Sequence, residues 1–285
     1  MIDLDAATVL LQWAAGGLFF LWVTTRRREV GIGYGWLLRG VYGVMALGAL
    51  LVGRTVGDAV AVRDFASGVV VVSAGVALAV SVVRRRAGVR GEHVERSRRM
   101  ARVSSMTGIE RDYDDADTTV AEFPPALDLV APAAGLVGLV AGGMAAGGPD
   151  ALAVARVLAG ALFLGAVSDA MLLGHWYLVQ PGLGRAPLNE LVRLTGATWP
   201  LEVAALLWPT GMLSVLSGTI DDGYGGLLGW FWIACAIATI ALVFVTVAAL
   251  RERQYSAVMA ATGLLYLAIL TAFGTDLVAR AVLAS

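Results

Sequence analysis

Apolar residues occur along this chain in long blocks, and short polar stretches separate the blocks. Each block has about 20 residues, which is the length that an α-helix needs to cross the hydrocarbon core of a bilayer. A transmembrane β-barrel would instead show shorter segments in which apolar and polar residues alternate. The pattern therefore predicts an all-α, polytopic transmembrane helical bundle. Its spans, about eight in number, are predicted at residues 5–24, 36–53, 66–83, 126–146, 151–179, 199–217, 226–250 and 256–279.

Arginine is unevenly divided between the connections on the two sides of this predicted bundle. One side contains Arg26, Arg27, Arg28, Arg84, Arg85, Arg86, Arg90, Arg96, Arg98, Arg99, Arg102, Arg111, Arg185, Arg193, Arg251 and Arg253. The other side contains only Arg54, Arg63, Arg156 and Arg280. Because positively charged connections stay in the cytoplasm, the N-terminus and the C-terminus are both predicted to lie outside, in a multi-pass protein of the bacterial cytoplasmic (inner) membrane.

The longest hydrophilic stretch, residues 84–125, divides the chain into three predicted parts. Residues 1–83 hold the first three spans, and residues 126–285 hold the other five, which carry the candidate site. The first half of the 84–125 segment is basic and its second half is acidic. Such a segment can bind anionic lipid or dock a partner protein, and the alternative is a solvated linker between two groups of helices.

Composition excludes several kinds of cofactor, metal site and partner. The chain is 58% hydrophobic and 15% charged, and its net charge of −1 does not indicate nucleic acid as a partner. All its basic side chains except the two histidines are arginines, so a retinal Schiff base, pyridoxal chemistry and a P-loop lysine are excluded. A single cysteine, Cys235, excludes a cysteine-ligated zinc or iron–sulfur site, and the histidines are too few for bis-histidine haem ligation within the membrane. The sequence predicts no metal site, and its cofactors stay unknown.

Acidic and imidazole side chains are concentrated between residues 168 and 202. Asp169 and His175 lie six residues apart in the fifth span, and Glu202 is predicted about one turn into the sixth. A charged side chain inside lipid is costly and so indicates function. With a short hairpin between the two spans, His175 and Glu202 are expected to face each other near the cytoplasmic leaflet and to exchange protons with a ligand. Asp169, facing the bundle interior, would carry a proton deeper.

Aromatic residues surround these three candidate catalytic residues. Trp176, Tyr177 and Trp199 are candidates for stacking against a planar ligand, and Arg185 in the hairpin is a further candidate ligand contact. The alternative interpretation of the aromatic residues is that they belong to the belts that anchor membrane proteins at the bilayer surface.

Three residues are predicted to have structural roles. Pro209 lacks an N–H, which frees the carbonyl of Ala205 and predicts a kink in the sixth helix. Asp276 and Arg280 have the spacing of an ion pair within one helix. Arg156 is expected to extend its guanidinium to the membrane boundary.

Small residues four positions apart predict close helix contacts, because they let two backbones approach each other. Such pairs are Gly138 with Gly142, and Ala161 with Gly165.

These patterns favour a membrane subunit that binds a small amphipathic ligand, with a quinone as first choice, at the cytoplasmic leaflet. The lipid bilayer is its predicted partner, and electrons would have to come from another redox subunit. Two alternatives stay open: a proton-coupled transporter of a small solute, with Asp169 as the titrating group, and a non-catalytic assembly subunit of a membrane complex. Whether the protein is an enzyme is not decided by the sequence.

Overall fold

The computed structural model describes residues 5–56, 59–89, 91, 94, 97, 105, 121–180, 183–208, 211–252 and 254–284. Within these ranges the regular structure is helical. The α-helices are α1 (Ala6–Thr25), α2 (Ile32–Thr55), α3 (Ala61–Val83), α4 (Val130–Ala145), α5 (Asp150–Val179), α6 (Ala186–Leu207), α7 (Met212–Leu216), α8 (Leu227–Arg251) and α9 (Tyr255–Ala284). Short 3-10 segments lie at Arg85–Ala87 and at Pro125–Leu129, directly before α4.

The prediction of a transmembrane helical bundle is confirmed. In the described part of the chain, seven helices are long and apolar enough to cross a membrane: α1, α2, α3, α4 with its preceding 3-10 turn, α5, α8 and α9. The predicted sixth span is the exception, because the chain there forms a more polar helix, α6, that ends at Leu207 and is followed by the short helix α7.

Helix α6 begins 13 residues before the predicted start of the sixth span, at Ala186 rather than at residue 199. Its first turns contain Pro187, Asn189, Glu190 and Arg193, which resemble a polar loop in sequence. In the structure, Leu188, Leu191, Val192, Thr195, Thr198, Glu202 and Leu206 are buried at helical spacing. The buried positions form one stripe against the bundle, and the exposed positions include the apolar Leu201 as well as Arg193.

Ion pairs between helices identify the two ends of the bundle. At one end, here the Asp5 end, Arg63 at the start of α3 pairs with Asp5 at the start of α1. At the opposite end, here the Arg26 end, Arg26 just after α1 pairs with Glu190 at the start of α6. Helices α1 and α3 therefore run from the Asp5 end to the Arg26 end, and α6 runs back. Helix α5 runs parallel to α1, because Gln180 after its end accepts a hydrogen bond from the N–H of Gly31, which follows α1.

Helices α1 and α5 form the centre of the bundle. In each of these two helices, 67% of the residues in an apolar 18-residue stretch are buried inside the bundle, compared with 33% in α2, α3 and α8. Their backbones touch: a Cβ on Gly16 would lie 1.9 Å from the carbonyl oxygen of Ala161, and one on Gly165 would lie 2.3 Å from the carbonyl carbon of Gly16. The close contact predicted for Ala161 and Gly165 is thus present, and it places α5 where it can present polar side chains to the core.

Candidate functional site

The three candidate catalytic residues lie in three separate places. His175 is exposed on the surface of the bundle, and its Nδ1 lies 3.1 Å from the hydroxyl oxygen of Tyr266 in α9. Glu202 is fully buried, and the charged groups that interact with it belong to α5 and α9 at the Asp5 end. The expected contact between His175 and Glu202 is wrong. Because α6 begins at Ala186, Glu202 lies roughly 24 Å along it, near the end that is remote from His175.

Glu202 belongs to a buried group of polar side chains contributed by four helices. We call this group the carboxyl cluster: Gln12 of α1, Arg156 of α5, Glu202 of α6, and Asp276 and Arg280 of α9. Arg156 and Arg280 are 6% and 9% exposed, and Gln12, Glu202 and Asp276 are inaccessible to solvent. Two cations and two acids therefore share one site inside the membrane domain.

Asp276 takes most of the hydrogen bonds in the carboxyl cluster. Its Oδ1 accepts from Arg280 Nε at 2.8 Å and lies 2.7 Å from Arg280 Nη2. The amide of Gln12 donates to the same oxygen at 3.5 Å. The contact predicted between Asp276 and Arg280 is present and links two turns of α9, and the bond from Gln12 joins Asp276 to α1.

Glu202, by contrast, receives no donor. Both of its carboxyl oxygens and Oδ2 of Asp276 lack a hydrogen-bond partner among the residues that the structure describes. The Asp276 carboxyl group nevertheless acts electrostatically on that of Glu202. Two buried carboxylates near each other repel unless one of them is protonated.

Arg156 connects the carboxyl cluster to the end of α6. Its Nε donates to the carbonyl of Ala205 at 2.9 Å, and its Nη2 donates to the carbonyl of Trp208 at 3.4 Å. Arg156 is therefore turned inward rather than toward the membrane boundary, which corrects the sequence-based expectation. Sequence reasoning missed this role, although the freed carbonyl of Ala205 was a signal that some donor had to replace the missing N–H.

Helix α6 ends just before Pro209, the position where the sequence predicts a kink. Helix α6 stops at Leu207, and Trp208 is extended, with φ −107° and ψ 147°. Proline disfavours helical conformation in the residue before it, which accounts for the extended Trp208. Pro209 itself lies outside the described residues.

Asp169 is fully buried in the middle of the bundle, as predicted. Its Oδ1 accepts a hydrogen bond of 2.5 Å from the hydroxyl of Tyr42 in α2. Its Oδ2 has no partner in the described part of the chain. Asp169 contacts neither His175 nor Glu202 in the contacts that the structure describes.

The candidate ligand-binding residues do not form a common wall. Trp176 donates to Gln180 Oε1 at 3.0 Å, and Trp199 donates to the carbonyl of Ala236 at 2.9 Å. Tyr177 donates to the carbonyl of Gly184 at 2.5 Å. Each bond holds a helix or a loop in place, so the structure brings none of these residues to His175.

Arg185 is engaged with backbone carbonyls between α8 and α9. Its guanidinium donates to the carbonyls of Leu250 at 3.2 Å and Gln254 at 2.7 Å, and also to that of Glu252. Cations at a helix C-terminus satisfy carbonyls that have no partner within the helix. This arrangement explains the charge of Arg185 without a ligand.

Within the described ranges, no three histidine, cysteine, aspartate or glutamate side chains are grouped so that they could hold a metal ion. Searches for related proteins give no match: no family model, no curated protein and no solved structure resembles this chain significantly.

Proposed function

We propose that this protein is a proton-coupled carrier of a small solute in the bacterial inner membrane, and that Glu202 and Asp276 bind the coupling proton. The Arg26 end, with most of the arginines, faces the cytoplasm in this proposal, because positively charged connections are retained there. The carboxyl cluster then lies toward the external side.

One observation supports the proton site above all: two buried carboxyl groups that interact electrostatically present three oxygens without donors in the described part of the chain. Ionising both would leave Glu202 as a desolvated anion without hydrogen bonds, which is costly inside a membrane. A proton on either carboxyl removes one charge and supplies the missing donor. The pair is therefore built to bind one proton more tightly than either acid would alone.

Arg156 supplies a route by which the proton could change the protein's shape. Its side chain acts electrostatically on Glu202 and holds the last carbonyls of α6. After the break, Gly211 is packed so tightly that a Cβ there would lie 1.8 Å from the carbonyl oxygen of Leu206. Protonation of Glu202 weakens the attraction that holds Arg156 in the carboxyl cluster, and so loosens the joint between α6 and α7. This joint is the hinge in the proposed carrier.

A quinone-binding subunit is the second candidate function. Its support is the exposed pair of His175 and Tyr266, whose hydrogen-bonding groups lie on an otherwise apolar surface near the Arg26 end. Extraction of the purified protein with organic solvent tests it, because a bound quinone appears in the extract. Recovery of none, at any protein loading, argues against this candidate.

Transport is tested in vesicles that contain the purified protein. The vesicles are placed in a mixture of small metabolites, with an acid gradient imposed in either direction, and the retained solutes are identified by mass spectrometry. We expect the wild type to accumulate at least one solute only when the gradient is present. Glu202→Gln should abolish this dependence on the gradient.

The matched control is Glu190→Gln, which makes the same chemical change on the same helix at the Arg26 end, where Glu190 pairs with Arg26. It should retain gradient-driven accumulation. Wild-type vesicles that accumulate no solute under either gradient, or Glu202→Gln vesicles that match the wild type, would contradict the proposal and favour an assembly subunit.

A further inference from the structure

A second buried acid, Asp169, takes no part in the carboxyl cluster. It lies 13 residues after Arg156 along α5, which is roughly 20 Å nearer the Arg26 end. Its neighbours are hydroxyl groups rather than cations. Tyr42 donates to its Oδ1, and Tyr34 donates to its backbone carbonyl at 3.4 Å.

Two more hydroxyl groups lie near these tyrosines. Ser168, the residue before Asp169, accepts a hydrogen bond of 2.7 Å from the indole N–H of Trp13. Thr24, near the end of α1, donates to the carbonyl of Phe20 at 2.9 Å and interacts with Tyr34. None of the described hydrogen bonds links these hydroxyls to Oδ2 of Asp169.

The charge balance at Asp169 differs from that at Asp128 and Asp64. Asp128 pairs with Arg39, and Asp64 pairs with Arg63. In the described part of the chain, only the hydrogen bond from Tyr42 offsets the cost of burying the Asp169 carboxylate. A carboxylate there has no compensating cation, and a bound proton removes the uncompensated charge.

Titratable groups that interact with Asp169 come from α2 and are Tyr34 and Tyr42. The acids and arginines that α6 and α9 present to α5 are Glu202, Asp276 and Arg280, at the level of Arg156. On the Arg26 side, α9 presents Tyr266 to His175 and Tyr255 to the backbone of Tyr177. These groups lie at other depths and do not pair with the Asp169 carboxyl.

An aromatic contact separates Asp169 from the carboxyl cluster. The rings of Trp13 and Phe273 meet edge to face with their centroids 4.4 Å apart. Trp13 donates a hydrogen bond to Ser168, and in the chain it directly follows Gln12, a member of the carboxyl cluster. An indole N–H donates but does not accept, so Trp13 cannot relay a proton between Asp169 and the carboxyl cluster.

We infer that Asp169, with Tyr42, is a second proton-binding site, on the Arg26 side of the carboxyl cluster. This inference rests on the proposed function, since it supplies the inner station for the same proton. The proton comes from a hydronium ion, which becomes water, and the new O–H bond forms at Asp169 Oδ2 while Tyr42 keeps its bond to Oδ1.

Infrared spectroscopy tests the second site, because a protonated carboxyl group has a C=O band that a carboxylate lacks. Spectra of the purified protein are recorded over a pH series in ordinary and heavy water. We expect one such band to disappear in Asp169→Asn and to move to higher frequency in Tyr42→Phe, where Asp169 loses its donor. Tyr177→Phe is the matched control, because Tyr177 is equally buried but donates to a loop carbonyl.

The outcomes separate the two proposals. Glu202→Gln should remove a different band and leave that of Asp169. If no band responds to Asp169→Asn at any pH, the second site is refuted while the transport test on Glu202 stands by itself. If the Asp169 band is present but gradient-driven accumulation is absent, the proposed function fails and the second site alone is retained. Should Asp169→Asn fail to fold, Asp169→Glu shifts the band instead, and an unshifted band refutes the assignment.

Discussion

Two buried arginine–aspartate clusters lie at opposite ends of this bundle, and they differ in how their acids are satisfied. Near the Arg26 end, Arg39 of α2 binds Asp128 with two bonds of 2.8 Å, one from Nε and one from Nη2. Thr25 donates to the same carboxylate at 3.1 Å. Each oxygen of Asp128 therefore has a donor. In the carboxyl cluster at the other end, Glu202 has none.

The arginines account for the difference. Arg39 donates to one carboxylate through Nε and Nη2, and its Nη1 donates to Ser81. Its guanidinium also lies over the ring of Phe123, 4.3 Å from the ring centroid. In the carboxyl cluster, Arg156 directs its guanidinium at backbone carbonyls and so leaves one acid without a donor. Both clusters balance their formal charges. The number of donors aimed at the acids, rather than the charge count, distinguishes an ion pair that stabilises the fold from a site that can take up a proton.

The largest expected effect is on the Arg39–Asp128 pair. Arg39→Leu leaves a fully buried carboxylate without its partner, which should lower the free energy of unfolding by about 3–5 kcal/mol. Thermal unfolding in detergent, followed by circular dichroism, measures the change. The double variant Arg39→Leu with Asp128→Leu should recover most of the loss, because no charge is then left unpaired. If Arg39→Leu is as stable as the wild type, the Arg39–Asp128 pair does not stabilise the fold and does not differ in this respect from the carboxyl cluster.

In the carboxyl cluster, the two acids should respond differently to loss of charge. Asp276→Asn weakens the pair with Arg280 and should cost about 1–3 kcal/mol, as expected for a buried hydrogen bond to a charged group. Glu202→Gln removes an acid that has no donor, so stability should change by less than about 1 kcal/mol or increase. The same unfolding measurement compares them. A larger loss for Glu202→Gln would mean that this carboxylate is held by bonds of the kind that Asp128 has.

Asp222 extends the comparison to an acid that is satisfied without any arginine, and the smallest effect is expected there. Its carboxylate accepts from four backbone N–H groups at the start of α8: Tyr224, Gly226, Leu228 and Gly229. These bonds, with that of Gly226 the strongest influence, hold the pKa of the Asp222 carboxyl below its usual range, against a weaker opposing effect of desolvation.

The sign of the pH dependence follows. Because the pKa is lower in the folded protein than in the unfolded chain, the stabilisation is complete above the unfolded value, about 3.9. It is lost as the pH falls through the folded value. Unfolding temperatures of the wild type and of Asp222→Asn, compared over an acid pH series, should converge as the pH falls. A constant difference between the two would show that ionisation of Asp222 does not contribute.

Periodicity and spacing predicted much of the fold and a smaller part of the candidate site. Seven of the predicted spans coincide with helices to within about five residues at each end. A long continuous block of apolar residues forms a membrane-spanning helix whichever other helices it packs against. The contact of Asp276 with Arg280 was predictable for the same reason, since four residues along one helix always bring two side chains together. The start of α6 was not predictable from apolarity, because only one stripe of that helix is buried.

The sequence by itself determined the class of this protein, the course of most of its helices, and the burial of Asp169 among them. Only the tertiary structure decided which other polar residues are buried and which of them meet. An early start of α6 moves Glu202 from the neighbourhood of His175 to that of Asp276. Tight contact of Gly16 with α5 brings Gln12 and Trp13 up to the polar side chains of α5 and α9. Such meetings depend on helix length, rotation and approach, and those follow from packing over the whole bundle rather than from any local run of residues.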